Sequence, residues 1–226
     1  MARRQNPKIE RTLKRTSSLK LVKQTFLIVC EGEVTEPEYF NSFRLTSANV
    51  KAIGKGMNTV SLVKEAIAIR DIEKRRNRNY DQCWVVFDKD DFSDGDFNTA
   101  IQMAQTNGFQ VAYSNQAFEY WFLLHFNLYQ GSIHRSRYAE MLTHLLGFRY
   151  GKTKGDSVKV FNVIYYKTRI DIDNAQKVQE SFDGSNPAKE ESSTTVHQLV
   201  EQLLSALVNK ALYSSSNSSL SAPPRA

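Results

Sequence analysis

Two uninterrupted apolar runs, Thr25–Cys30 (TFLIVC) and Cys83–Phe87 (CWVVF), constrain the fold of this 226-residue chain more than any other feature. A strand that is apolar at every position must be covered on both faces, as a central strand of a parallel sheet is by its crossover helices. The intervening segments suit that arrangement. Thr35-Glu36-Pro37-Glu38 reads as a capping box, with Thr35 as N-cap and a short helix through about Phe43. Asn49–Ile53 is a weaker strand closed by Gly54-Lys55-Gly56. Val60, Val63, Ala66 and Ile67 then recur at helical spacing, up to the basic cluster Lys74–Arg78. Residues 97–107 read as a helix stopped by Asn107-Gly108, and Phe109–Tyr113 as another strand. Strands alternating with helices predict an α/β fold with a mostly parallel, Rossmann-like sheet flanked by helices.

The pattern changes after Ser114. AFEYWFLLHF, RYAEMLTHLLG, Val158 to about Tyr166, Asp173–Phe182 and Val196–Leu212 all read as helical, the last with one apolar face. The expected organisation is a basic arm (1–23), an α/β core (24–115), a helical extension packed on it (116–212) and a disordered serine- and proline-rich tail (213–226). The arm explains the charge. The formal net charge is +6, but residues 1–23 carry eight basic residues against the single acid Glu10, which leaves −1 for everything else. Such an arm can touch phosphates without sequence specificity, or serve solubility alone. No apolar run approaches the ~20 residues of a membrane span, and the polar opening lacks a signal-peptide core. Cys30 and Cys83 lie inside strand-like runs as buried free thiols, and a cytoplasmic location is expected.

Ligands of open parallel sheets bind outside the carboxyl ends of the strands. Glu31 follows the first strong strand, and Asp88-Lys89-Asp90 follows the second. In extended backbone, Asp88 and Asp90 project to one side and Lys89 to the other, as a solvent-facing ion-pair partner. Hard carboxylate oxygens with no sulfur or imidazole neighbour suit Mg²⁺ or Mn²⁺. Glu119, which opens an aromatic helix near the same sheet edge, reads either as a further ligand or as a helix-start acid. Glu36 is assigned to its helix start, Glu33 to a supporting position, and His125 to structure.

Other motifs fail. Gly147–Thr153 ends like a P-loop but is one residue short and follows no strand. Asp90–Gly95 fails as a calcium loop because Phe92 and Ile101 occupy ligand positions. The histidines lack zinc spacing, and there is no G-x-S-x-G elbow.

Val29–Phe40 (VCEGEVTEPEYF), Val85–Asp91 (VVFDKDD), Ser114–Phe126 (SNQAFEYWFLLHF) and Thr194–Leu203 (TTVHQLVEQL) together resemble the RloB family, also called AbiLii-like abortive-infection proteins. The resemblance runs from about Phe26 to Leu207. It implies a Toprim-like fold, in which a glutamate after the first strand and a D-x-D after the third bind metal; Glu31, Asp88 and Asp90 occupy those positions. It further implies a phage-defence protein working beside a companion ATPase of the RloA or AbiLi type, with nuclease activity on DNA or RNA.

The activity expected is Mg²⁺-dependent phosphodiester hydrolysis by Glu31, Asp88, Asp90 and Glu119. Lys51, Lys55, Lys74, Arg75, Arg76 and Arg78 are candidates to track a nucleic-acid backbone, and Lys167 to neutralise a phosphate. The alternative is a non-catalytic docking subunit for the ATPase, in which the acids bind metal structurally or not at all. No membrane partner is expected, and self-association stays open.

Overall fold

Phe26–Cys30 (β1), Ala48–Ala52 (β2), Gln82–Asp88 (β3) and Gln110–Ser114 (β4) pair in the order β2-β1-β3-β4, every neighbour parallel. The two apolar runs are thus adjacent central strands. The computed structural model describes residues 24–52 and 59–218. The connections are Thr35–Asn41 (α1), Thr59–Arg75 (α2) and Asp94–Thr106 (α3). Glu119–Leu124 (α4), Tyr138–Leu146 (α5), Asp156–Ile164 (α6), Thr168–Gln179 (α7) and Val196–Ser218 (α8) follow. The fold is α/β, with helices on both faces of an all-parallel sheet.

Side-chain alternation along the strands makes two cores. Phe26, Ile28, Cys30, Trp84 and Val86 face a large cluster that takes in α1 and the helices from α4 to α8. Leu27, Val29, Cys83, Val85 and Phe87 face a smaller one built with α2 and α3. This is why both runs lack polar alternation: each face has its own cover. The larger core is held by rings. Tyr39 on α1 lies 5.6 Å from Phe118 and 5.5 Å from Phe122, which fastens α4 to α1. The outer side of β4 is closed by residues 193–195. Thr195 donates its N–H to Tyr113 O at 2.9 Å, and Asn115 donates to Ser193 O at 2.8 Å. An edge strand covered in this way offers no open template for another chain.

Several local expectations are corrected. Val34, not Thr35, is the N-cap of α1, and no side chain caps it. Glu38 does not complete a capping box, because its carboxylate accepts the N–H of Gly155 across the core, 2.8 Å to each oxygen. Helix α8 runs past Leu212 to Ser218, so the segment 213–218 is helical rather than part of a disordered tail. The arm at 1–23, the residues 219–226 and Lys55 lie outside the described residues. Both cysteines are buried free thiols, as expected.

Phe118→Ala removes a buried ring packed on Tyr39, Phe40 and Phe122 while leaving the backbone intact. Urea unfolding of this variant should show a loss of about 3–5 kcal/mol.

Candidate metal centre

The chain runs from β1 to one side of the sheet and from β3 to the other, so the strand order reverses between them. A crevice opens outside the carboxyl ends of strands at such a point. Here the cleft measures ≈ 570 Å³, and Glu31, Glu33, Glu36, Asp88, Asp90 and Glu119 line it with the cations Arg135 and Lys152. The parallel register sets two of these acids side by side. Glu31 donates its N–H to Val86 O at 2.9 Å, and its carboxylate Oε2 accepts the N–H of Asp88 at 3.2 Å. Asp88 Oδ2 accepts the N–H of Phe118 at 3.0 Å. Its other oxygen, Oδ1, is shut off from solvent with no hydrogen-bond partner among the described residues.

Asp90 reaches the cleft by a route that strand alternation does not predict. The strand ends at Asp88, and Asp90 has a left-handed backbone (φ 43°) in the turn that follows. Its carboxylate is held by the guanidinium of Arg135, whose other nitrogen reaches Asp91 at 2.6 Å. Lys89 pairs with Asp94 at 3.3 Å as expected, but its side chain is 12% exposed rather than solvent-facing.

Glu36 is the acid missed by sequence reading. It sits in the first turn of α1, 6% exposed, and folds back over Gly32, where a Cβ would stand 2.1 Å from its Oε2. A side chain at position 32 would push the Glu36 carboxylate out of this position. The signal was there to be read: Glu36 lies three and four residues before Tyr39 and Phe40, on the face that must be buried. Glu119 is 1% exposed; its Oε1 accepts the hydroxyl of Tyr150 at 2.9 Å and its Oε2 lies 2.8 Å from Lys152 Nζ. Lys152 was the second omission, lying within the P-loop look-alike that spacing excludes.

Crowded, half-dry acids resist ionisation. Burial pushes the Glu31 carboxyl up to about 7; the N–H of Asp88 opposes the shift and the charge of Asp90 adds to it. Burial likewise takes Glu36 to about 7, its own backbone N–H opposing and Glu119 and Glu31 reinforcing. Asp88 is raised well above the carboxylate range by burial, then by Glu36, Glu119 and Asp90. Asp90 rises through burial although Arg135 and Lys152 pull it down. The donors are all hard oxygens, and one is orphaned, which fits a hard divalent cation. Among the described residues, however, no group of three His, Cys, Asp or Glu side chains already stands in position to hold an ion.

The expected nucleic-acid contacts do not gather here. Lys74 and Arg75 end α2, with Arg76 just beyond, and Arg76 and Arg78 pair with Glu73 at 3.3 and 3.1 Å. A crossover helix runs antiparallel to its strands, so this cluster lies at the amino end of the sheet, away from the acids. Lys167 stands 4.4 Å over the ring of Phe126 and does not line the cleft. His125 is structural: Nδ1–H donates to Trp121 O at 3.0 Å and Nε2 lies 3.1 Å from Asp171 Oδ2, both side chains fully buried. Burial lowers His125 to about 3 and raises Asp171, so it favours the neutral form of each.

A family model described as RloB-like protein matches residues 26–203 of the chain. No curated protein and no solved structure matches it. Among the described residues no helix is long and apolar enough to cross a membrane.

The raised acids make the pH dependence specific. An unfolded glutamate titrates near 4.5 and folded Glu31 and Glu36 near 7, so between those values the folded state binds more protons. The contribution of these two acids to stability therefore falls as pH rises from about 4.5 to about 7. Thermal melts in EDTA should show Glu31→Gln/Glu36→Gln gaining stability relative to the wild type over that range, since every other titrating group is common to both.

Proposed function

From the premise that this chain belongs to the RloB-like family, we propose that it is a metal-dependent nuclease acting on phosphodiester bonds in a phage-defence setting, beside a companion ATPase. The observation that carries this reading is Asp88, a carboxyl at the switch point of the sheet with one oxygen dry and unpartnered and other acids crowded around it. A protein gains nothing in stability from assembling such a group; a ligand that relieves the repulsion does.

Glu31 and Asp88 would hold Mg²⁺ or Mn²⁺, with Asp90 and Glu119 completing the acidic wall. The ion, when bound, supplies Lewis-acid polarisation of a phosphoryl oxygen and a water of lowered pKa. The chain's own part is orientation. The N–H of Asp88 fixes Glu31, and the N–H of Phe118 fixes Asp88. Burial of Glu36 and Glu119 keeps the acid cluster in a dry environment where charge interactions are strong. No serine, cysteine or histidine near Asp88 lines the cleft as a rival nucleophile or base among the described residues.

A second reading also has an observation in its favour. Asp90 and Glu119 already have cationic partners in Arg135 and Lys152, as a docking subunit with a structural acid cluster would require.

Asp88→Asn separates the two. It keeps the shape and removes the charge, so the metal-free variant should melt at or above the wild-type temperature. Ion binding at about a hundredfold excess over Kd should stabilise the wild type by roughly 2.7 kcal/mol and leave the variant unmoved. Cleavage of nucleic acid, and phage protection in cells carrying the ATPase, should fall by orders of magnitude. A variant that loses Mg²⁺ stabilisation and still protects would overturn the nuclease and favour the docking subunit.

A further inference from the structure

A cleft walled by carboxylates repels a polyanion, so nucleic acid can enter only if a cation receives it. Two cations line this cleft, and they differ in what they have left to give. Arg135 faces two carboxylates, Asp90 through one guanidinium nitrogen and Asp91 through another, which more than offset its charge, and its side chain is 30% exposed. Lys152 meets Glu119 Oε2 at 2.8 Å, yet its side chain is 51% exposed. An ammonium carries three donors, and one carboxylate oxygen takes one of them.

The backbone around Lys152 is built to hold it there. Lys152 has φ +56°, a left-handed conformation that suits glycine and that other residues rarely adopt. Asp156 Oδ2 accepts the N–H groups of Gly151 and Thr153, both at 3.1 Å, and the Thr153 hydroxyl at 2.8 Å. Gly155 is pinned to Glu38 on α1 by two contacts of 2.8 Å. The residues on either side are therefore fixed to two helices, while the strained position between them carries a long cationic side chain rather than glycine. Burial works against the charge of Lys152, but Glu119, then Asp88 and Asp90, more than offset it and hold the ammonium protonated.

We propose that Lys152 is the phosphate anchor of this cleft, receiving a nucleic-acid phosphodiester beside the Asp88 cluster through the donors that Glu119 leaves free. The assignment rests on the nucleic-acid reading above. It gives the loop from Gly147 to Gly155 a purpose unlike that of the P-loop it imitates: a side chain, not a cradle of backbone N–H groups, meets the phosphate.

The test is binding rather than turnover. The full-length protein is titrated, in Ca²⁺ and in EDTA, against a short fluorescein-labelled single-stranded oligonucleotide, as RNA and as DNA, over a range of salt. Lys152→Met keeps the aliphatic stem and removes the charge. It should weaken binding about tenfold or more and lower the slope of log affinity on log salt by roughly 0.7, the share of one phosphate contact. Lys152→Arg should recover most of both. Should Lys152→Met fold poorly because Glu119 loses its partner, Lys152→Met/Glu119→Gln removes both charges and should still show the reduced slope. Wild-type affinity and slope in either Met variant would overturn the anchor and leave Lys152 as a counter-ion for Glu119. A wild-type protein that ignores both oligonucleotides would end the nucleic-acid reading and the anchor with it. One that binds them alongside an unimpaired Lys152→Met variant would end only the anchor.

Discussion

The parallel pairing of β1 with β3 is the interaction on which the rest depends. It buries Phe26, Ile28, Trp84 and Val86 on one face and Leu27, Val29, Val85 and Phe87 on the other, so both helical layers need it. It also sets the last residue of β1, Cys30, against Val86, two residues before the end of β3, where Glu31 can accept the N–H of Asp88. A slip of one residue would turn the inward side chains of one core into the other and part the two acids. Core packing and site geometry are thus one register.

The site strains against that core. The sheet supplies a dry end, and a dry end raises the pKa of every carboxyl placed there. Two devices keep the cluster tolerable without ligand. One is protonation, since Glu31 and Glu36 titrate near neutrality. The other is internal countercharge, from Arg135 on Asp90 and from Lys152 on Glu119. Both counter-ions come from the segments between α4 and α6, outside the parallel sheet. The helices after β4 therefore do more than cover a face: they bring the positive charge to an acidic site that the strands alone would leave unbalanced.

Aromatic packing sets the distance between those layers. Tyr39 stacks edge-on against Phe118 and Phe161, joining α1 to the start of α4 and to α6. Phe118 is at once a core ring and the donor of the N–H that holds Asp88. The rings of this cluster and two of the cleft's carboxyls, Glu36 and Glu119, are supplied by the same short helices, which gives those acids rigid supports.

The local content of the fold was legible. Thr25–Cys30 and Cys83–Phe87 are apolar without alternation, which specifies central strands whatever surrounds them, and a sheet of such strands brings Glu31 and Asp88 to its carboxyl edge. What lay beyond was decided by contacts distant in sequence. Thr35 and Glu38 spell a capping box, but Glu38 is claimed by Gly155, 117 residues away. Asp90 faces the cleft through a left-handed turn and Arg135, not through strand alternation. Lys74, Arg75 and Arg76 look like a nucleic-acid patch until the antiparallel run of α2 carries them to the far end of the sheet. Glu36 and Lys152 became site residues only when α1 and the loop before α6 met Glu119. Periodicity and burial act over a few residues, and so a sequence alone fixes which segments are strands and helices. Charge acts through space, and its partners are chosen only when the chain has closed.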